Sequence, residues 1–113
     1  MIKVEAFIHP SKLEDAKAVL ERLCIRGVII SVAFDHGDGR GQTLFYRGAE
    51  YHADALRSRL EMLVSPLQVD EVVEALSRAA RTPGSADDGR ILLYEVAGAI
   101  HIKSGNSMQP SLH

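Results

Sequence analysis

Ile2-Lys3-Val4-Glu5-Ala6-Phe7-Ile8-His9-Pro10-Ser11-Lys12-Leu13-Glu14 changes its period midway, and that change decides the fold. Up to His9, the apolar Ile2, Val4, Ala6 and Ile8 alternate with Lys3, Glu5 and Phe7, the two-residue repeat of a strand with one apolar face. Pro10 ends the strand. Ser11 and Glu14 stand at capping-box spacing, and Leu13, Ala16, Leu20 and Leu23 follow as the stripe of an amphipathic helix. Gly27 sits where a helix exit needs a residue tolerant of positive φ, and the β-branched run VIISVAF at 28–34 reads as a buried strand.

The same order returns after a long polar interval. Leu60 to Val64 read as a strand, and Ser65-Pro66-Leu67-Gln68 place proline at the first helical position and Gln68 at the box position. Val69, Val72, Val73, Leu76 and Ala80 then give a second amphipathic helix that stops near Arg81. Residues 82–89 form a loop, Arg90 to Val96 and Ala99 to Lys103 are the last strands, and the tail from Ser104 lacks periodicity and reads as loose. Strand, helix, strand twice over predicts an α+β fold. It is the ferredoxin-like split βαβ (βαββαβ) sandwich, an antiparallel sheet with both helices on one face. The other sheet face, carrying Val and Ile, is expected to be buried against further copies in a cyclic assembly.

A chain of 113 residues suits one domain, and 13 basic against 15 acidic residues give a net charge of −2, which argues against a duplex nucleic-acid footprint. No apolar run approaches the ~20 residues of a membrane span, and the N-terminus lacks a signal-peptide layout, so a cytoplasmic protein is expected. Cys24 is the sole cysteine and lies in an apolar stretch, which predicts a buried structural thiol. The histidines are scattered without zincin spacing, and no nucleophile elbow is present. Neither a metal centre nor an enzyme is expected.

Two segments carry polar residues worth weighing. Residues 35–57 form a loop too long for a tight hairpin, ending in Tyr46-Arg47-Gly48-Ala49-Glu50-Tyr51, a polar-aromatic tip able to dock on a partner or simply a solvated loop. In the last strand, alternation would put Ile100 and Ile102 on one side and His101 and Lys103 on the other, with Arg90 converging beside the turn Asp87-Asp88-Gly89. That is either an anion site or an ordinary charged sheet edge.

The residues Pro10, Lys12, Leu13, Gly37, Gly41, Thr43, the intact stretch 46–51, Asp88-Gly89, Val96-Ala97, Ile100, Ile102 and Gly105 resemble the PII signal-transduction family over residues 1–105. The resemblance implies a homotrimer of ferredoxin-like subunits that binds adenine nucleotides in inter-subunit clefts. It also implies a T-loop at 35–57 laid on a protein target, a transporter or a metabolic enzyme, a B-loop at 82–90, and a flexible tail at 106–113. By the same resemblance, Asp87, Asp88, Gly89, Arg90, His101 and Lys103 face the phosphates, while Gly27, Val28, Gly37, Asp38 and Val64 enclose adenine and ribose. Tyr46, Arg47, Glu50 and Tyr51 would meet the partner, with Tyr51 at the position nucleotidylylated in some bacterial members.

Departures from the family pattern matter as much. Gly39 replaces a metal-coordinating glutamine and Ser58 a lysine that pairs with 2-oxoglutarate, which argues against that effector. His101 replaces an arginine, and a histidine is mostly neutral at pH 7, while Asp87 adds negative charge. ADP or AMP is therefore expected over magnesium-ATP. Divergent family members associated with inorganic carbon make bicarbonate the small effector to expect. The alternatives are a nitrogen-regulatory PII protein responding to ATP and 2-oxoglutarate, and a metal-binding trimer of the copper-tolerance type.

Overall fold

Alternation along the first strand survives folding because each apolar side chain of one phase finds a helix above it. The computed structural model of the protein describes residues 1–36, 43–46, 49–52, 56–84 and 88–109, with 43–46 and 49–52 as backbone. Its elements are β1 (Ile2–Ile8), a 3-10 turn (Pro10–Lys12), α1 (Leu13–Arg22), β2 (Ile29–Phe34), β3 (Thr43–Tyr46), β4 (Ala49–His52), β5 (Leu56–Val64), α2 (Val69–Ala80) and β6 (Gly89–Glu95). The main sheet has the order β2-β5-β1-β6, every pair antiparallel, and β3 pairs with β4 as a separate ribbon. The predicted α+β split βαβ is therefore the observed fold.

Register places Val4 opposite Met62 and Ala6 opposite Leu60. This phase meets Ala16 and Leu20 of α1 and Val72, Leu76 and Ala80 of α2 in one buried core. At roughly 25 cal/mol per Å² of apolar surface removed from water, that core is the main stabilising term.

Local signals were less faithful. Ser11 does not cap α1; His9 Nδ1 accepts from Ser11 N–H at 3.1 Å and pairs with Ser11 Oγ, while Glu14 instead pairs with Lys17 at 3.3 Å. Pro10 makes the chain enter through a 3-10 turn, so the helix proper begins two residues beyond the serine. Likewise α2 begins at Val69, after a turn in which Ser65 Oγ accepts from Leu67 N–H at 3.2 Å.

Cys24, expected to be buried, is exposed and takes φ 58. The N–H of Cys24 donates to Glu21 O and that of Ile25 to Leu20 O, both at 3.0 Å, the bond pair of a Schellman stop. Ile25 is buried behind it. The left-handed stop thus falls three residues before Gly27, which has a positive φ of its own. A side chain in the left-handed region is strained, so Cys24→Gly is expected to raise stability by about 1 kcal/mol. An unshifted urea midpoint would contradict this.

The run at 28–34 forms β2 from Ile29, but as an edge strand and not a buried one: Ile29 is 63% and Val32 74% exposed in this chain. β5 starts at Leu56, earlier than expected, because Arg57, Ser58 and Arg59 hid its alternation. The face away from the helices is not the Val- and Ile-rich surface expected. By register it carries Lys3, Glu5, Phe7, Arg59, Glu61, Arg90, Leu92 and Tyr94, with Ile29 near its rim, whereas Val4, Val32 and Val64 belong to the helix side. Lys3 Nζ meets Glu61 at 2.8 Å and Tyr94 Oη donates to Glu5 at 3.0 Å. Hydrogen bonding to Lys3 holds the Glu61 carboxyl below its ordinary range, the same contact raises Lys3, and the Glu5 partner pushes the Tyr94 phenol up.

The final strand is absent among the described residues. Ile100 makes an isolated bridge with Ser107, the chain turns at 102–104, and Gly105 adopts φ 72. Met108 N–H donates to Ala99 O at 2.8 Å, so up to Gln109 the segment expected to be loose folds back on itself. Among the described residues no helix is long and apolar enough to cross a membrane.

Candidate functional site

At the start of β6, three features of the sequence are brought together. Asp88 Oδ2 accepts the Thr82 N–H at 2.9 Å and closes the turn that leaves α2. Gly89 follows with φ 103, a conformation in which a Cβ would lie 1.9 Å from Phe7 O. Arg90 then lays its guanidinium over the Phe7 ring, 4.6 Å from the centroid, and Nη1 donates to Asp35 Oδ2 at 2.9 Å. The Arg90 side chain is half exposed, and a guanidinium presents its N–H donors in a planar fork that suits an anion. Beside it a cavity of about 290 Å³ is lined by Ile8, Leu76, Ala80, Arg81, Asp88 and Arg90.

Asp35 and Phe7 were not among the predicted site residues. Phe7 was legible as the last residue of the outward phase of β1. The Asp35 pairing was not, since its partner lies 55 positions away.

Arg90 does not converge with His101 and Lys103 within one protomer. β6 runs from Gly89 to Glu95, about 17 Å from Arg90 to its end at ~3.3 Å per residue, and His101 and Lys103 lie beyond that far end. The expected strand alternation fails there as well: Ile100, His101, Ile102 and Lys103 are all exposed, and the last two lie in a turn. Gly27 and Val28 precede β2 at the same far end, where Ile2 pairs with both Val64 and Glu95. Val64 is fully buried in this chain. Thus the predicted residues divide into an Asp88-Gly89-Arg90 group and a Gly27-Val28-Val64-His101-Lys103 group at opposite ends of the sheet.

Gly37, Asp38, Arg47 and Asp87 lie outside the described residues. Tyr46, Ala49, Glu50 and Tyr51 contribute backbone to the β3–β4 ribbon, with Tyr46 opposite Ala49, Glu50 opposite Phe45 and Tyr51 opposite Leu44. That ribbon was missed by reading 35–57 as a loop, although Thr43-Leu44-Phe45-Tyr46 has strand composition. Among the described residues no three His, Cys, Asp or Glu side chains gather as a metal group.

The family model described as "Nitrogen regulatory protein P-II" matches residues 1–106. A nitrogen regulatory protein P-II of Synechocystis is 41% identical over 106 residues, covering 93% of this chain and 94% of its own length. That of Rhodospirillum rubrum is 37% identical with the same coverage, and that of Haemophilus influenzae 38% over 113 residues, 99% of this chain and all of its own. A family match over residues 1–106, on a framework of two strand–helix–strand units, places this chain in the PII family of signal-transduction proteins.

Proposed function

We propose that the protein is a nitrogen-regulatory signalling protein of the PII type, a homotrimer that binds adenine nucleotides between protomers and acts on a protein target through residues 35–57. The observation that carries this reading is the division of the cationic residues between the two ends of β6. One phosphate chain can meet Arg90 of one protomer and His101 and Lys103 of a neighbour, which gives the ligand a reason to need an assembly. The mixed face around Lys3, Glu61 and Tyr94 supplies satisfied polar pairs suited to packing against such neighbours. The relatives named above are all nitrogen regulatory proteins, and nitrogen regulation therefore replaces the inorganic-carbon reading expected from the sequence.

Within that function, ADP or AMP is preferred over magnesium-ATP. Asp88 spends its carboxylate on Thr82 N–H, Gly39 has no side-chain ligand for a metal, and Ser58 is buried and offers no cation for 2-oxoglutarate. Calorimetry of ATP, ADP and AMP, with and without magnesium, 2-oxoglutarate or bicarbonate, tests this, alongside light scattering for the trimer. Tighter magnesium-ATP binding would reverse the preference, and a monomer indifferent to every adenylate would end the reading. Arg90→Gln and Lys103→Ala are each expected to weaken ADP binding roughly tenfold or more, the worth of a charge-assisted hydrogen bond, with unfolding curves unchanged. His101→Ala should lose less.

A further inference from the structure

The residue that opens the long segment after β2 is held by the same guanidinium that the proposed function gives to phosphate. Asp35 directly follows Phe34, and its Oδ2 accepts from Arg90 Nη1 at 2.9 Å, with the two side chains 22% and 49% exposed. Arg90 is anchored independently of that carboxylate: Phe7 stacks beneath it, and Gly89 lets the backbone approach β1 closely enough that a side chain there would strike Phe7 O. The guanidinium therefore stays in place whichever anion it pairs with. Asp35 is the movable partner.

We propose that Asp35 is a built-in competitor for the anion at Arg90, so that a nucleotide phosphate displaces its carboxylate and thereby frees the residue from which the chain leaves β2. The inference rests on the reading of Arg90 as a phosphate contact. A carboxylate and a phosphate oxygen seek the same planar donors, and a dianionic phosphate near Asp35 also repels it, so each occupancy disfavours the other. Both partners are partly exposed, so the grip is modest and weakens with salt. That suits a contact to be exchanged under ligand control, since any affinity lost to the competitor returns as bias on the chain at Asp35. Asp35 acts as a specificity-determining residue as well, because the ligand must carry enough charge to win the exchange; a free nucleoside does not.

The experiment uses the full-length protein and its Asp35→Asn, Asp35→Glu and Arg90→Gln variants, each first shown to unfold at the wild-type midpoint. ADP, AMP and adenosine are titrated by calorimetry at low and high salt, and the amide resonances of Asp35 and His36 are followed by NMR. Expected are a two- to fivefold gain in ADP affinity for Asp35→Asn that shrinks at high salt, near wild-type affinity for Asp35→Glu, and movement of the Asp35 and His36 amides with ADP but not adenosine. ADP binding that depends on Arg90 while Asp35→Asn matches wild type, with those amides still, overturns the competitor and leaves the phosphate reading standing. ADP binding that ignores Arg90→Gln, or no binding at all, overturns both.

Discussion

Gly89→Ala is expected to cost on the order of 3 kcal/mol of stability and, under the proposed function, to remove most nucleotide affinity with it. The glycine stands at φ 103, where a side chain is strained, and an added Cβ would lie 1.9 Å from Phe7 O, 3.0 Å from Phe7 C and 3.3 Å from Ile8 Cα. All three are backbone atoms of β1, an inner strand paired on both sides, so no side chain can swing away to make room. The first pairs of the β1–β6 ladder must part, and Arg90 moves off the Phe7 ring with them. Gly84→Ala is the control: it too has positive φ, at 79, but nothing lies within 4 Å of its Cβ position. Strain alone should cost about 1 kcal/mol there. Denaturant midpoints of the two variants separate steric collision from strain; equal losses would show that the β1 backbone yields.

Leu60→Ala is the second large effect, a loss of about 3–4 kcal/mol. Leu60 is fully buried on β5, between Ala6 of β1 and Ile30 of β2. Ala6 is too small to move into the void, and the β5 backbone is held by ladders on both sides, so the cavity stays open and adds to the lost transfer free energy. Ile102→Ala, at a fully exposed site, should change stability by less than 0.5 kcal/mol. A Leu60→Ala loss near that of Ile102→Ala would mean that the core repacks around the vacancy.

Both effects lie in the part of the fold that the sequence already announced. Period two along 2–8 and period three-to-four along 69–80 are repeated signals, and burial of Val4, Ala6, Val72 and Leu76 follows from them. Single-residue signals did worse because competing local bonds decide them. Ser11 offered a cap, yet Pro10 forced a 3-10 entry and His9 took the N–H; Gly27 offered a helix stop, yet Cys24 made it earlier. At 99–103 a short alternation was outweighed by Gly105 and by the bonds that return Met108 to Ala99. The apolar run of β2 correctly gave a strand but not its surroundings, since composition cannot say whether a neighbouring surface belongs to the same chain. For the site, Asp88, Gly89 and Arg90 were readable as a turn entering a strand. The Asp35 contact was beyond reach, because pairing across 55 residues leaves no periodic trace.

The placement of Arg90 at the start of β6 and of Lys103 beyond its far end has a bearing on how the protein is made. If a ligand must touch both, a newly synthesised chain carries two half-sockets and no socket, and nucleotide cannot be captured before oligomerisation is finished. Occupancy would then report quaternary completeness as well as cellular energy. Co-expressed chains of related sequence could also exchange halves and build sockets with properties found in neither parent.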